Sequence, residues 1–237
     1  MTRGISRRAL LRSMAAAPLV STLGAQTDVD TDTITLRSGS AEVPAFAARP
    51  RAAGRSPGVI VVHDARGLSD HVRELARALA AERLVALAPD LRGRLQGGQP
   101  LMGAIEDLQG GLAWLAGHAN VDAGRLAAIG FGWGAWRSVR LATVAPAVRR
   151  VVVFYGASPD AGYETMQAAV LAHYAEWDNQ VTGNARAIQE AMAGAGRSFQ
   201  YYVYPRTDQG FANPADPRYA PEAARLAWRR TVEFLQS

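Results

Sequence analysis

The sequence predicts one α/β domain built on a doubly wound, mostly parallel β-sheet with an N-terminal antiparallel hairpin. Apolar, β-branched runs alternate with segments of helical periodicity along the chain. Most of these runs are continuously apolar, as expected of strands that are buried on both faces of a parallel sheet. The length of 237 residues suits a single domain of this class.

The order of the elements follows from these patterns. Residues 33–36 and 43–47 alternate in polarity and predict the hairpin, in which Pro44 suits an edge strand. The predicted parallel strands cover 58–63, 84–88, 126–129, 151–155, 169–174 and 199–204. The predicted helices cover 69–79, 105–115, 135–142, 182–193 and 221–235. In sheets of this kind, ligands bind beyond the carboxyl ends of the strands.

The first 25 residues have the features of an export signal. Ser6-Arg7-Arg8 with the following Ala9-Leu10-Leu11 resembles a twin-arginine motif, and an apolar run and a small-residue cleavage site follow it. The alternative is a disordered basic tail. We expect a twin-arginine-type signal peptide over 1–25, a polar linker over 26–32 and the folded domain over 33–237. The expected location is periplasmic or secreted, without stable membrane insertion after cleavage, because the apolar run is too short to span a bilayer.

Composition excludes several function classes. The chain has no cysteine, which excludes disulfides and thiolate chemistry. Four of the 26 cationic residues precede Ala25, so the rest of the chain is nearly neutral against 21 acids and gives no electrostatic case for nucleic acid. The histidines have no ligand-like spacing. We therefore expect no metal and no cofactor, and a monomer.

The segment Gly130-Phe131-Gly132-Trp133-Gly134 follows a predicted strand and precedes a predicted helix. A strand, a tight glycine turn and a helix form the setting of a nucleophile elbow, whose pattern is Gly-x-nucleophile-x-Gly. The central position of this elbow is Gly132, which has no side chain.

Residues 33–235 resemble the dienelactone hydrolase family, a branch of the α/β-hydrolase fold. The resemblance is carried by Leu68–His71, by 84–91, by the elbow and by Tyr204-Pro205 with Gly210–Asn213. It implies an α/β-hydrolase fold. The family elbow reads Gly-Phe-Cys-Trp-Gly, so this chain departs from it at the centre.

The resemblance also implies where a Cys-Asp-His triad would lie. The nucleophile falls on Gly132, the acid on Asp178 and the histidine on Gln209. An amide does not titrate near neutral pH, so Gln209 cannot shuttle protons. Asp178 is the triad position that is kept, although without a histidine partner a turn aspartate that bonds its own backbone is the favoured interpretation. A hydrogen bond from Gln209 to Asp178 would then be a structural repair.

Other candidates lie at the predicted carboxyl edge of the sheet. His63 and Asp64 end a central strand, and the family carries a glutamate at the position of Asp64. Backbone N–H groups of Trp133 and near Ala65 are the expected oxyanion hole. By resemblance Arg94 would bind a ligand carboxylate. Phe131 and Trp177 are the expected aromatic contacts, although core packing is the commoner use of such residues.

These residues favour an exported, non-hydrolytic protein that binds a small ligand, such as a carboxylate or a lactone, or a protein partner. The alternative is an enzyme in which Asp64 or His63 acts as a base without a covalent intermediate, for lactone hydrolysis by water or for isomerisation. A purely structural role is the third hypothesis. Fold alone does not choose among them.

Overall fold

The computed structural model describes residues 28–39, 41–52, 54–93 and 100–237. The predicted signal peptide lies outside these residues. Eight strands form one sheet in the order β1-β2-β4-β3-β5-β6-β7-β8. The strands are β1 (Val29–Ser38), β2 (Ala41–Pro50), β3 (Ser56–Val62), β4 (Val85–Pro89), β5 (Val121–Phe131), β6 (Val148–Phe154), β7 (Ala169–Ala175) and β8 (Phe199–Tyr204).

The pairing confirms the predicted topology. The strands β1 and β2 form an antiparallel hairpin, β2 pairs antiparallel with β4, and every pair from β4 to β8 is parallel. The α-helices are α1 (Asp70–Ala81), α2 (Pro100–Gly117), α3 (Trp133–Val144), α4 (Asn179–Thr182), α5 (Ala185–Gly194) and α6 (Pro221–Gln236). Apolar clusters on the two faces of the sheet form the core.

The hairpin is longer than the sequence predicted. Residues 29–32 were expected in the linker but belong to β1, which pairs with β2 as far as Pro50. The polar composition of residues 29–32 gave no sign of a strand. Their aspartates are accommodated by ion pairs across the hairpin, Asp30 with Arg51 and Asp32 with Arg49.

The expectation that Pro44 marks an edge strand was wrong, because β2 lies between β1 and β4. The ladder between β2 and β4 begins one residue later, at Ala45 opposite Pro89. The carbonyl of Pro44 accepts a hydrogen bond from the N–H of Asp90, just after β4 ends. Since the C=O and N–H of one residue in an antiparallel strand point to the same side, the missing N–H of Pro44 faces β4 at the end of that ladder and removes no hydrogen bond with β1.

Candidate functional site

The elbow forms at the predicted position. The strand β5 ends at Phe131, α3 begins at Trp133, and Gly132 lies between them with φ +49° and ψ −107°. The Gly132 N–H donates to the Phe154 carbonyl at 3.0 Å, and the Gly132 carbonyl accepts from the Ala135 N–H at 3.1 Å. Residues with side chains rarely adopt such a backbone conformation, and strained positions of this kind concentrate at functional sites.

Close backbone packing requires glycine at the two positions that flank the elbow, 130 and 134. A Cβ on Gly130 would lie 2.4 Å from the Gly134 carbonyl oxygen, and a Cβ on Gly134 would lie 2.3 Å from the Val62 carbonyl oxygen. At Gly132 a Cβ would meet only the Asp64 Cβ within 4 Å, at 3.8 Å. Space for a side chain therefore remains at the nucleophile position, although Gly132 has none.

Asp64 lies beside this space, and its carboxylate forms a hydrogen-bonded ion pair with Arg66. One carboxylate oxygen accepts from the Arg66 backbone N–H at 2.9 Å, and the other accepts from the Arg66 Nε at 3.0 Å. The Arg66 Nη2 also reaches Asp216 at 3.0 Å. Each oxygen keeps a further acceptor site, so the two contacts with Arg66 reduce but do not exhaust the acceptor capacity of Asp64.

Asp216 is a site residue that sequence reasoning missed. Its buried carboxylate accepts from the backbone N–H, Nε and Nη2 of Arg218 as well as from Arg66. The hydrogen bonds from Arg218 hold the pKa of Asp216 far below its ordinary value, against the opposing effect of burial. The sequence signals only a turn at Asp216-Pro217-Arg218, because Arg66 is distant in the chain.

His63 is a buried structural histidine. Its Nδ1–H donates to the Asp64 carbonyl at 2.6 Å, and its Nε2 accepts from the Leu91 N–H at 2.9 Å. The partners fix the tautomer, and burial lowers the pKa of His63. Since both ring nitrogens are engaged and no surface is exposed, the geometry does not support the predicted role of His63 as a base.

Asp178 and Gln209 do not form the predicted repair. The Asp178 carboxylate caps α4 by accepting from the Val181 N–H at 3.3 Å. The Gln209 side chain donates to the Tyr155 carbonyl at 3.2 Å. The loops that carry them are nevertheless adjacent, because the Trp177 N–H donates to the Thr207 carbonyl at 3.0 Å. Asp178 and Gln209, the triad positions that the resemblance implied, therefore lie in neighbouring loops, each with a different hydrogen-bond partner.

The remaining candidates differ in accessibility. Phe131 is buried and stacks on Phe154 with ring centroids 4.8 Å apart, so it is a core residue and not a ligand contact. Trp177 is 62% exposed, next to Asp178. Arg94 lies outside the described residues. Within the part of the chain that the structure describes, the N–H groups of Trp133 and Ala65 donate no hydrogen bond and stay available as donors.

His71 adds an unpredicted polar group. It is the second residue of α1, and its ring meets Phe131 edge-on with centroids 6.4 Å apart. Burial lowers the pKa of His71 to about 4, partly offset by the negative charge of Asp64. Its Nε2 is buried without a hydrogen-bond partner. The neutral ring is thus part of the wall near Asp64.

A cavity of about 490 Å³ lies elsewhere at the same edge of the sheet. Its lining includes Glu42, Pro44, Asp90 and Arg92, from β2 and the end of β4. Because β3 lies between β4 and β5, this cavity is displaced from the elbow by a strand. Among the described residues there is no cluster of metal-ligating side chains, and no helix is long and apolar enough to cross a membrane.

The sequence model of the dienelactone hydrolase family matches residues 43–237. The chain belongs to the dienelactone hydrolase family. A protein of Methylorubrum extorquens AM1 named "Putative carboxymethylenebutenolidase" is 27% identical over 98% of this chain and 93% of its own length. A Bradyrhizobium protein named "Probable 2-oxo-3-(5-oxofuran-2-ylidene)propanoate lactonase" is 27% identical over 81% of this chain and 88% of its own.

Solved structures agree with the family assignment. The crystal structure of a "Putative Dienelactone Hydrolase" from Klebsiella pneumoniae superposes with a TM-score of 0.81 and 28% identity, covering 87% of this chain and 98% of that one. The similarity confirms the α/β-hydrolase fold. Gly132 and Gln209 are the positions at which the sequence resemblance placed the family's nucleophile and histidine.

Proposed function

We propose that this dienelactone hydrolase family member is an exported protein that binds a small carboxylate or lactone without hydrolysing it. The observation that carries the proposal is Gly132: the elbow keeps its strained backbone and its open space but offers no atom to attack a carbonyl. Gln209 cannot replace a histidine as proton shuttle. Without nucleophile and base together, covalent turnover has no route through this elbow.

The surroundings suit an oxygen-rich ligand. The free N–H groups of Trp133 and Ala65 are donors for a carbonyl or carboxylate oxygen. Arg66 is anchored by Asp64 and Asp216, which leaves its Nη1 for a ligand anion. The exposed Trp177 ring offers an apolar surface in the neighbouring loop. These groups support binding without requiring a reaction.

The second candidate function is hydrolysis or isomerisation with Asp64 alone as the base. It is favoured by one observation, that the Asp64 Cβ is the atom nearest to a Cβ placed on Gly132. It is disfavoured by the hydrogen bonds of Arg66 to both carboxylate oxygens. Water attack would also lack the histidine that the family resemblance places at 209.

The test combines binding and turnover. Calorimetric titration of the purified protein with dienelactone and with benzoate should show saturable binding, while the hydrolysis of dienelactone and 4-nitrophenyl acetate stays near background. A Gly132→Leu variant should lose binding by filling the open space. Its matched control is Gly54→Leu, another glycine with positive φ and open surroundings. A product burst equal to the enzyme concentration would refute the proposal.

We also propose that residues 1–25 direct twin-arginine export to the periplasm or the medium. The support is the order of the paired arginines, the apolar run and the small-residue exit. Replacing Arg7 and Arg8 with lysine keeps the charge and removes the motif, so the protein should stay in the cytoplasm. Normal export of this double variant in cell fractionation would contradict the proposal.

A further inference from the structure

The strand β8 is a sheet edge without protective charges. It pairs with β7 on one side, and no strand of the described residues pairs on the other. Its sequence, Phe-Gln-Tyr-Tyr-Val-Tyr, contains no charge and no proline. The opposite edge strand, β1, carries Asp30, Asp32 and Arg37. Since proteins usually protect open edges with charges, prolines or bulges, β8 is the edge that accepts another strand.

The ladder with β7 shows which backbone groups of β8 are free. The Val170 N–H donates to Ser198, and the Glu176 N–H donates to Tyr204. Along a strand, successive residues point their N–H and C=O groups to opposite sides. Gln200 and Tyr202 therefore also bond to β7. The alternate residues Phe199, Tyr201 and Val203 direct their backbone N–H and C=O groups away from β7, towards the open edge.

Two of these outward residues remain unpaired within the described part of the chain. The Phe199 carbonyl accepts from the Gln189 side chain at 3.3 Å. Tyr201 and Val203 have no such partner for their outward N–H and C=O groups. Val203 is 41% exposed, one of three large apolar side chains that are prominently exposed in the described residues. Free backbone groups and exposed apolar surface thus coincide.

A second copy of the same strand fits this edge. In an antiparallel pair around a two-fold axis at Tyr202, Tyr201 of one copy lies opposite Val203 of the other. Each such pair exchanges two backbone hydrogen bonds. The side chains of Tyr201 and Val203 lie on one face of the sheet, so each exposed valine packs on a tyrosine, a favourable cross-strand combination. No charged side chain of the strand itself meets its copy across the axis. The Arg230 guanidinium, from α6, lies over the Tyr202 ring at 3.6 Å from its centroid, so each copy brings one arginine towards the axis.

We propose that this protein forms a homodimer by antiparallel pairing of β8 with β8 of a second copy, giving one sheet continuous across both copies. This proposal departs from the monomer that we expected from the sequence. Closed two-fold pairing uses the same patch on both copies and leaves no open edge at β8. The dimer does not depend on what the elbow binds.

The absence of cysteine in the chain permits a direct test of the register. In the proposed pair, Tyr202 lies opposite Tyr202 of the second copy with Cα atoms about 4.5 Å apart. This distance is within the range of about 4.4–6.8 Å that a disulfide spans. A Tyr202→Cys variant should form a disulfide-linked dimer under mild oxidation. Its control, Val144→Cys, lies at another half-exposed position, in α3, and should stay uncrosslinked.

Light scattering after size exclusion tests the surface independently. The protein should elute as a dimer, and Val203→Lys should weaken dimerisation by at least about tenfold, because it places a charge on the buried edge. Val144→Lys adds the same charge to a valine that is 38% exposed and should leave the dimer unchanged. The proposal would be overturned if the wild type eluted as a monomer, or if the two lysine substitutions weakened the dimer equally. It would also be overturned if Tyr201→Cys crosslinked faster than Tyr202→Cys.

Discussion

Restoring the two missing groups is the sharpest test of whether the hydrolase framework persists. The double variant Gly132→Cys with Gln209→His adds a thiol at the elbow and an imidazole in the loop beside Asp178. The contact between Trp177 and Thr207 keeps these loops together. We expect the double variant to gain esterase activity, because nucleophile, base and acid act as a unit.

The stability loss follows from the contacts of the two positions. A Cβ at Gly132 would meet the Asp64 Cβ at 3.8 Å and nothing nearer, so the cost of that atom is backbone strain of about 1–3 kcal/mol. Replacing Gln209 removes one hydrogen bond to the Tyr155 carbonyl, worth about 0.5–1.5 kcal/mol. The sum of about 1.5–4.5 kcal/mol lowers Tm by roughly 3–18 °C for a domain of this size. The double variant should therefore remain folded at 25 °C.

The assay is hydrolysis of 4-nitrophenyl acetate at pH 7.5, with thermal unfolding measured in parallel. The double variant should exceed each single variant by about 10²-fold or more, since removing one member of such a unit costs nearly as much as removing all. Iodoacetamide should abolish the gained esterase activity by alkylating the introduced cysteine, since the chain has no other cysteine. A folded double variant that hydrolyses no faster than the single variants would refute the reasoning.

Three further predictions concern stability and protonation. Gly134→Ala should destabilise by about 3 kcal/mol or more, through overlap with the Val62 carbonyl, and Gly132→Ala by about 1–3 kcal/mol, both measured by urea unfolding. Because the folded pKa of Asp216 is lowered, its stabilisation is present above the unfolded pKa of about 3.9 and is lost as pH falls further; Asp216→Asn should flatten that acid limb. The lowered pKa of His63 keeps its ring neutral, so nitrogen chemical shifts should show no titration at its ordinary pKa of about 6.5, and protonation there would contradict the assigned hydrogen bonds.

The elbow shows how far local sequence information reaches. An apolar strand, two glycines flanking a central position and a helix predict the turn, because each requirement involves residues close in the chain. The structure confirms the turn and the reason for each flanking glycine. That the centre of the elbow carries no side chain is likewise read directly from the sequence, since residue 132 is glycine in any fold.

The hairpin shows where local patterns mislead. The polar residues 29–32 were assigned to a linker, yet they pair with β2. Their aspartates are matched by Arg49 and Arg51, about twenty residues later. Ion pairs between separate strands leave no periodic pattern within either strand, so the start of β1 could not be predicted.

The sequence by itself determined the doubly wound α/β class and the strand–glycine turn–helix of the elbow, because apolar periodicity and turn chemistry are local properties. Its resemblance to the dienelactone hydrolase family implied the α/β-hydrolase fold. Only the tertiary structure decided the state of the polar groups around Gly132. It engages both nitrogens of His63, directs Gln209 to Tyr155 and joins Asp64 to Asp216 through Arg66. Hydrogen bonds between distant loops depend on the order of the strands in the sheet, and the spacing of residues along the chain does not determine that order.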